Sequence, residues 1–216
     1  VCGALGPAPC PACRADLRRA PALPPPAPVD SCLALLAYDG AGRELVARLK
    51  YRNARSSLPF LADGLARLVT RPVDVVTWAP TTSARRRQRG FDQAELLARA
   101  VARRLGVPCR RLLLRRPGPA QTGQPLDARR TGPAFRPARP APPAVLLVDD
   151  VVTSGATVAA ATRALRAAGA REVHVVAAAR TPVRRPPAGP GLHSERVAVC
   201  GSVVESRGQS QAKRPT

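Results

Sequence analysis

The stretch Val145-Leu146-Leu147-Val148-Asp149-Asp150-Val151-Val152-Thr153-Ser154-Gly155-Ala156-Thr157 constrains this chain more than any other. A run of consecutive aliphatic residues is best hidden in a strand covered on both faces, which places residues 144–148 at the centre of a sheet. That strand delivers two adjacent carboxylates, and Thr, Ser, Gly, Ala and Thr follow at the opening of a helix. Small residues let backbone N–H groups approach an oxyanion closely, hydroxyls add donors, and a helix N-terminus contributes partial positive charge. Carboxylates cannot favour that anion. Asp149 and Asp150 read instead as acceptors for a pair of ligand hydroxyls, with room for a hydrated Mg²⁺ beside them. An ordinary capped strand-to-helix turn is the competing reading.

Around this segment, residues 31–180 alternate strand-like apolar runs with helical stretches, the pattern of an α/β domain whose mainly parallel central sheet is flanked by helices. Strands are expected over 32–38, 74–78, 107–114, 144–148 and 172–178, and helices over 42–51, 58–68, 91–105 and 156–168. Residues 81–90 read as a polar, arginine-rich loop at the carboxyl end of a strand, the edge where open parallel sheets bind ligands. Residues 115–143 are too long for an ordinary connection and rich in Pro, Gly, Arg and Gln, which suggests a mobile flap. Residues 1–30 form a Cys- and Pro-rich appendage that ends in a stiff linker carrying Pro24-Pro25-Pro26. Residues 181–216 read as a disordered basic tail.

The formal charge of +21 is carried almost wholly by arginine, the only lysines being Lys50 and Lys213. Arginine forks match phosphate oxygens, so nucleotides, pyrophosphate and nucleic-acid backbones all suit this charge, as does a merely solvated surface. Aromatics make up 3% of the chain and are scattered, which counts against a stacking platform for single strands. No apolar run approaches the roughly 20 residues a membrane helix needs. Six cysteines without a secretory leader point to a reduced, cytoplasmic setting. The start Val1-Cys2-Gly3 leads us to expect further residues upstream.

The segment Val145 to Thr157 resembles the ribose-5-phosphate loop of the type I phosphoribosyltransferases, where two acidic residues precede a Thr/Ser-Gly-x-Thr turn. That resemblance implies catalytic roles for Asp149 and Asp150, holding the ribose hydroxyls of 5-phosphoribosyl 1-pyrophosphate (PRPP). It implies that Thr153, Ser154, Gly155, Ala156 and Thr157 surround the 5-phosphate. Upstream, Ala79-Pro80-Thr81-Thr82-Ser83 leads into Arg85-Arg86-Arg87-Gln88-Arg89-Gly90. Guanidinium groups beside a glycine suit a pyrophosphate leaving group, whose growing charge must be neutralised; Thr81, Arg85, Arg89 and Gly90 are the candidates. In the expected flap, Gln121, Arg129 and Arg130 would close over the reactive centre and shield it from water.

Together with Leu49-Lys50-Tyr51, Arg89-Gly90-Phe91-Asp92-Gln93-Ala94 and residues 121–130, these motifs are similar in order and spacing to the ComF family. Its members are also called competence protein ComFC or amidophosphoribosyltransferase-like proteins. The family usually has Asn where this chain has Asp92, and Tyr-Thr-Thr where it has Val152-Thr153-Ser154. The resemblance covers residues 31–180 and implies the type I phosphoribosyltransferase fold. It also implies Mg²⁺-dependent transfer of a phosphoribosyl group from PRPP to a nitrogen nucleophile, a small-molecule acceptor that nothing in the sequence names. Lys50 reads either as facing the pyrophosphate or as a helix-surface lysine.

The resemblance further implies a small N-terminal zinc-ribbon-like site built from Cys-x-x-Cys pairs. Cys10-Pro11-Ala12-Cys13 is one pair, and Cys2 reads as the second member of another. Zn²⁺ favours four ligands, so Cys32 or water would complete the set, unless the cysteines are simply reduced and metal-free. Cys109 and Cys200 read as structural, and His174 as a core residue. The runner-up function is a nucleic-acid-handling protein of DNA uptake, its pocket taking PRPP or a single-stranded DNA end as a regulatory ligand, with competence helicase machinery as partner. Homo-oligomerisation is left open.

Overall fold

The computed structural model describes residues 8–51, 55–116 and 133–182, less the side chains of Lys50, Tyr51, Arg55 and Arg89. Along the chain run α1 (Pro11–Ala15), β1 (Ser31–Ala37), α2 (Gly40–Tyr51), α3 (Leu58–Arg67), β2 (Val75–Trp78), α4 (Ser83–Arg89) and α5 (Gln93–Leu105). There follow β3 (Leu113–Arg115), β4 (Phe135–Pro137), β5 (Ala144–Val152), α6 (Ala156–Ala167) and β6 (Glu172–Arg180). Strands β1, β6, β5 and β2, in that spatial order, make a wholly parallel sheet. An antiparallel pair, β3 with β4, stands apart from it.

The apolar run of β5 is buried because it has helices on both sides. Leu146 and Val148 join a cluster with Leu45, Leu49, Leu65 and Leu97 from α2, α3 and α5. Val145 and Leu147 face the other way and pack with Val158 and Leu165 of α6. This is the strand pattern of a doubly covered parallel sheet, with successive side chains supplying opposite layers. Alanines dominate the contact faces of α5 and α6, among them Ala98, Ala102 and Ala161. Small side chains there let the helices approach the sheet closely.

Several elements differ from their sequence expectations. Residues 83–89, read as loop, are helical: the Thr82 side chain accepts from the Arg85 N–H, and Gly90 at φ 77° closes the far end with its N–H on the Arg86 carbonyl. A hydroxyl N-cap and a left-handed glycine C-cap suffice to bound a helix in which Ala84 is the one apolar residue. The strand expected over 107–114 is reduced to one bridge between Cys109 and Val76, held by Val76 N–H to Pro108 O and Arg110 N–H to Val76 O, both 2.9 Å. Only Leu113–Arg115 continues as a strand, and it turns to pair with β4. Pro108, lacking an N–H, cannot extend the ladder. The stretch 115–143 therefore holds ordered structure at both ends, while residues 117–132 lie outside those described.

Strands β5 and β6 both run further than expected, to Val152 and Arg180. Helix α5 begins at Gln93 rather than Phe91, because Asp92 caps it. The N-terminal segment also touches the sheet. Ala20 N–H donates to Leu35 O at 3.3 Å and Ala37 N–H to Arg18 O at 2.9 Å, so residues 18–20 run antiparallel along the outer edge of β1. An edge covered in this way no longer offers its free N–H and C=O groups to another chain.

Candidate active site

The carboxylates sit inside β5, not beyond it. Asp149 is level with Ala177 and Val152 with Arg180, so strand pairing fixes both acidic residues before the turn begins. Asp149 is buried at 8% exposure, Asp150 is half-buried, and the Asp150 N–H donates to Asp149 Oδ1 at 2.8 Å. The turn that follows exposes Thr153 and Ser154, buries Gly155 and leaves Ala156 and Thr157 half-buried. Gly155 takes φ 79° as the residue before α6, a left-handed conformation that favours glycine. Ser154 Oγ accepts the Ala156 N–H at 3.4 Å.

Across from β5, the chain leaves β2 through Ala79, Pro80 and Thr81. Thr81 is anchored because its N–H donates to Asp92 Oδ2 at 2.8 Å, while Asp92 Oδ1 accepts the Ala94 N–H at 3.1 Å. Both oxygens of Asp92 thus accept backbone N–H groups, one from the loop and one from the first turn of α5. An amide in its place would present an NH₂ to one of those donors. This is why aspartate, not the asparagine usual in the resembling family, fits here.

A cavity of about 260 Å³ opens between these two walls. Asp149, Asp150 and Thr157 line one side, Thr81 and Arg85 the other, and Arg115 reaches in from β3. Of the residues singled out from sequence, the structure therefore brings Thr81, Arg85, Asp149, Asp150 and Thr157 together. Gly90 lines a neighbouring cavity of about 380 Å³ with Arg86, Arg87 and Arg111, which shares Pro80, Thr81 and Asp92 with the first. Gln121, Arg129, Arg130 and Cys2 lie outside the described residues, as do the side chains of Arg89 and Lys50.

Asp92 and Arg115 were not singled out as site residues. Asp92 carried a legible signal, since Asp92-Gln93-Ala94-Glu95 has the form of a capping box. Arg115 carried none, because only the return of β4 brings it to the cavity. Its guanidinium stacks over the Phe135 ring at 5.7 Å and donates to Pro80 O at 3.4 Å. Burial pushes it down from its ordinary value, Arg85 beside it pushes the same way, and Asp149 and Asp92 partly offset both. It remains a cation, half-desolvated beside a second cation, and such a pair attracts anions strongly.

Burial also pushes the Asp92 carboxyl up, against the lowering effect of the backbone N–H groups it accepts. The folded chain consequently holds a proton that the unfolded chain releases near about pH 4. The contribution of Asp92 to stability is therefore fully present below that pH and is lost as pH rises through the raised value. Asp92→Asn cannot titrate. Urea unfolding of both proteins across pH 3–7 should show the wild type losing stability relative to the variant as pH rises; an opposite slope would mean that the backbone donors outweigh burial.

Cys10 caps α1 and Cys13 is buried within it, whereas Cys32 packs in the core of β1 with Val145 and Val175. Among the described residues no three His, Cys, Asp or Glu side chains gather to hold a metal. Cys32 is thus not assembled with the Cys10–Cys13 pair. His174 is buried, as expected, its Nδ1 2.8 Å from Ser31 Oγ. Among the described residues no helix is long and apolar enough to cross a membrane.

No curated protein matches the chain. Among solved structures, the chain is similar to the allosteric regulatory enzyme of purine biosynthesis, at 26% identity and TM-score 0.40 over 56% of this chain and 25% of that one. It is similar to the glutamine PRPP amidotransferase of B. subtilis at 26% identity and TM-score 0.41, over 56% of this chain and 26% of that one. The chain spans about a quarter of the length of both. A purine phosphoribosyltransferase from Pyrococcus horikoshii matches at 14% identity and TM-score 0.35, over 70% of this chain and 88% of its own. The phosphoribosyl transferase domain model matches residues 92–191. That span takes in Asp92, Arg115, both strands of the hairpin and the whole of β5 and α6. Residues 92–191 are thus similar to a phosphoribosyl transferase domain, and in this chain they hold the acidic pair on β5 and the hydroxyl-rich turn that opens α6.

Proposed function

We propose that this chain is a PRPP-dependent phosphoribosyltransferase of the ComF type, which transfers the phosphoribosyl group to a nitrogen nucleophile and releases pyrophosphate. The observation that carries the reading is the single cavity shared by Asp149, Asp150 and Thr157 with Thr81, Arg85 and Arg115. One wall accepts hydroxyls and the other neutralises anions, and PRPP presents both.

In this reading Asp149 and Asp150 accept the two ribose hydroxyls and fix the sugar. The turn Thr153 to Thr157 takes the 5-phosphate on its backbone N–H groups and hydroxyls at the start of α6. Thr81, Arg85 and Arg115 receive the pyrophosphate. As the anomeric C–O bond breaks, negative charge grows on that leaving group and positive charge grows on the ribose. The guanidinium pair meets the first and the carboxylates, through the held sugar, sit beside the second. Asp149 and Asp150 are hard oxygen donors that fit Mg²⁺ held largely by water and phosphate oxygens, and Mg²⁺ would add to the neutralisation of pyrophosphate. On the same reading Cys10 and Cys13, spaced as a zinc-ligand pair, would supply two of the four ligands that Zn²⁺ favours.

The test is pyrophosphate release from PRPP and Mg²⁺ in the presence of ammonia, amines and nucleobases in turn. Release that depends on one acceptor class supports the transferase; PRPP left intact with every acceptor counts against it. Arg115→Ala separates the two ends of the ligand. It should weaken inorganic pyrophosphate binding by about 10- to 100-fold, the worth of one charge-assisted hydrogen bond, and leave ribose 5-phosphate affinity within about twofold.

A further inference from the structure

Gly155 is buried although its neighbours Thr153 and Ser154 are exposed. What covers it is Pro26: a Cβ on Gly155 would lie 2.7 Å from Pro26 Cγ and 2.9 Å from Pro26 Cβ. We infer that residues 23–26 are a strap that sets the shape of the phosphate-binding turn, with Pro26 and Arg180 as its positioning residues. The inference rests on the reading of that turn given above.

The strap is held at both ends. Arg180 Nη1 donates to Leu23 O and Nη2 to Pro24 O, each at 3.3 Å. Val29 N–H donates to Pro26 O at 2.9 Å. Beyond it, Arg166 grips Asp30 through both carboxylate oxygens at 2.9 and 2.8 Å, and Asp30 Oδ2 also accepts the Val173 N–H at 2.7 Å. A proline run has few accessible conformations and leaves its carbonyls free, so two bonds from one guanidinium are enough to fix it.

Arg180 is costly for a merely structural residue. It is 7% exposed, its Nε has no hydrogen-bond partner, and among the described residues no carboxylate forms an ion pair with it. Burying a guanidinium with so little compensation is unfavourable. Its place explains it. Arg180 is level with Val152, the last residue of β5, and the next N–H, that of Thr181, donates to Val152 O at 3.0 Å. One residue therefore ties the strap to the strand end from which the turn departs. With Pro26 against Gly155, the turn is braced at its entry and at its last residue before α6. A turn braced in this way presents its N–H groups without an ordering cost on binding.

Calorimetric titration of ribose 5-phosphate and of inorganic pyrophosphate, each into wild type and variants, tests the strap. Pro26→Gly and Arg180→Lys should each weaken ribose 5-phosphate by about tenfold and leave pyrophosphate within about twofold. A general loss of stability would weaken both ligands alike. Gly155→Ala should weaken ribose 5-phosphate by about 100-fold in the wild type but only about tenfold further in Pro26→Gly, where the ring is gone and the positive φ alone resists alanine. Pro26→Gly decides the matter even where Arg180→Lys does not fold. Additive losses in the double variant, or unchanged ribose 5-phosphate affinity in Pro26→Gly, would overturn the strap. A wild type that binds pyrophosphate but no ribose 5-phosphate would instead overturn the reading of the turn itself.

Discussion

Asp149→Asn combined with Asp150→Asn is expected to weaken PRPP binding by about 10²- to 10⁴-fold. Each carboxylate supplies a charge-assisted acceptor worth about 1.5–3 kcal/mol, and about 1.4 kcal/mol is a factor of ten. The fold should survive. The hydrogen bond that Asp149 Oδ1 accepts from the Asp150 N–H can be kept by an asparagine oxygen. Two neighbouring negative charges, one of them buried, are removed as well, which relieves desolvation. Calorimetry with PRPP and Mg²⁺, paired with thermal melting, separates these effects. Binding at the wild-type level in a folded double variant would show that the acidic pair does not hold the ligand.

The second large effect is on stability. Leu147 is completely buried at the middle of β5, paired with Val175 on one side and Thr77 on the other, and packed towards α6. Leu147→Ala should cost about 2–5 kcal/mol, because lost transfer energy and the cavity left behind add together. That is a large share of the roughly 5–15 kcal/mol by which a domain of this kind is stable. The urea midpoint should drop with little change in slope. A loss below about 1 kcal/mol would contradict the central place of β5 between two layers, and with it the rigid footing of Asp149 and Asp150.

Both predictions concern a strand that could be read directly from sequence. A run of aliphatics is hidden only between two covering layers, and the acidic pair followed by small hydroxyl residues has few other uses. Helix α4 was not legible in the same way. Its residues 83–88 are all exposed, so no apolar periodicity marks it, and only Thr82 and Gly90 at its ends give it away. Arg115 belongs to the site through the pairing of β3 with β4, whose nearest partners, Arg115 and Phe135, are separated by residues 116–134. Pairing across such a gap depends on tertiary contacts that local pattern does not encode. The contact of Pro26 with Gly155 is the same kind of fact. The proline run announced a stiff linker, and nothing in it announced where the linker would lie.

Asp92 is an instructive middle case. Its cap was written in the sequence, but the residue stood out as a departure from a family habit and not as a hydrogen-bonding device. The structure supplies the second partner, the Thr81 N–H, which the other carboxyl oxygen accepts. The loop carrying Thr81 is therefore held in place by a residue at the start of α5, and Asp92 links that loop to the first turn of the helix.

Whether this cavity binds PRPP is decided by calorimetric titration of PRPP with Mg²⁺ into the wild-type protein at two salt concentrations. One saturable site per chain is expected, with an affinity that falls only modestly at the higher salt. No binding at millimolar PRPP would contradict it, as would an affinity that collapses with salt in parallel with that of a single-stranded oligonucleotide, the behaviour of a surface that merely gathers phosphates.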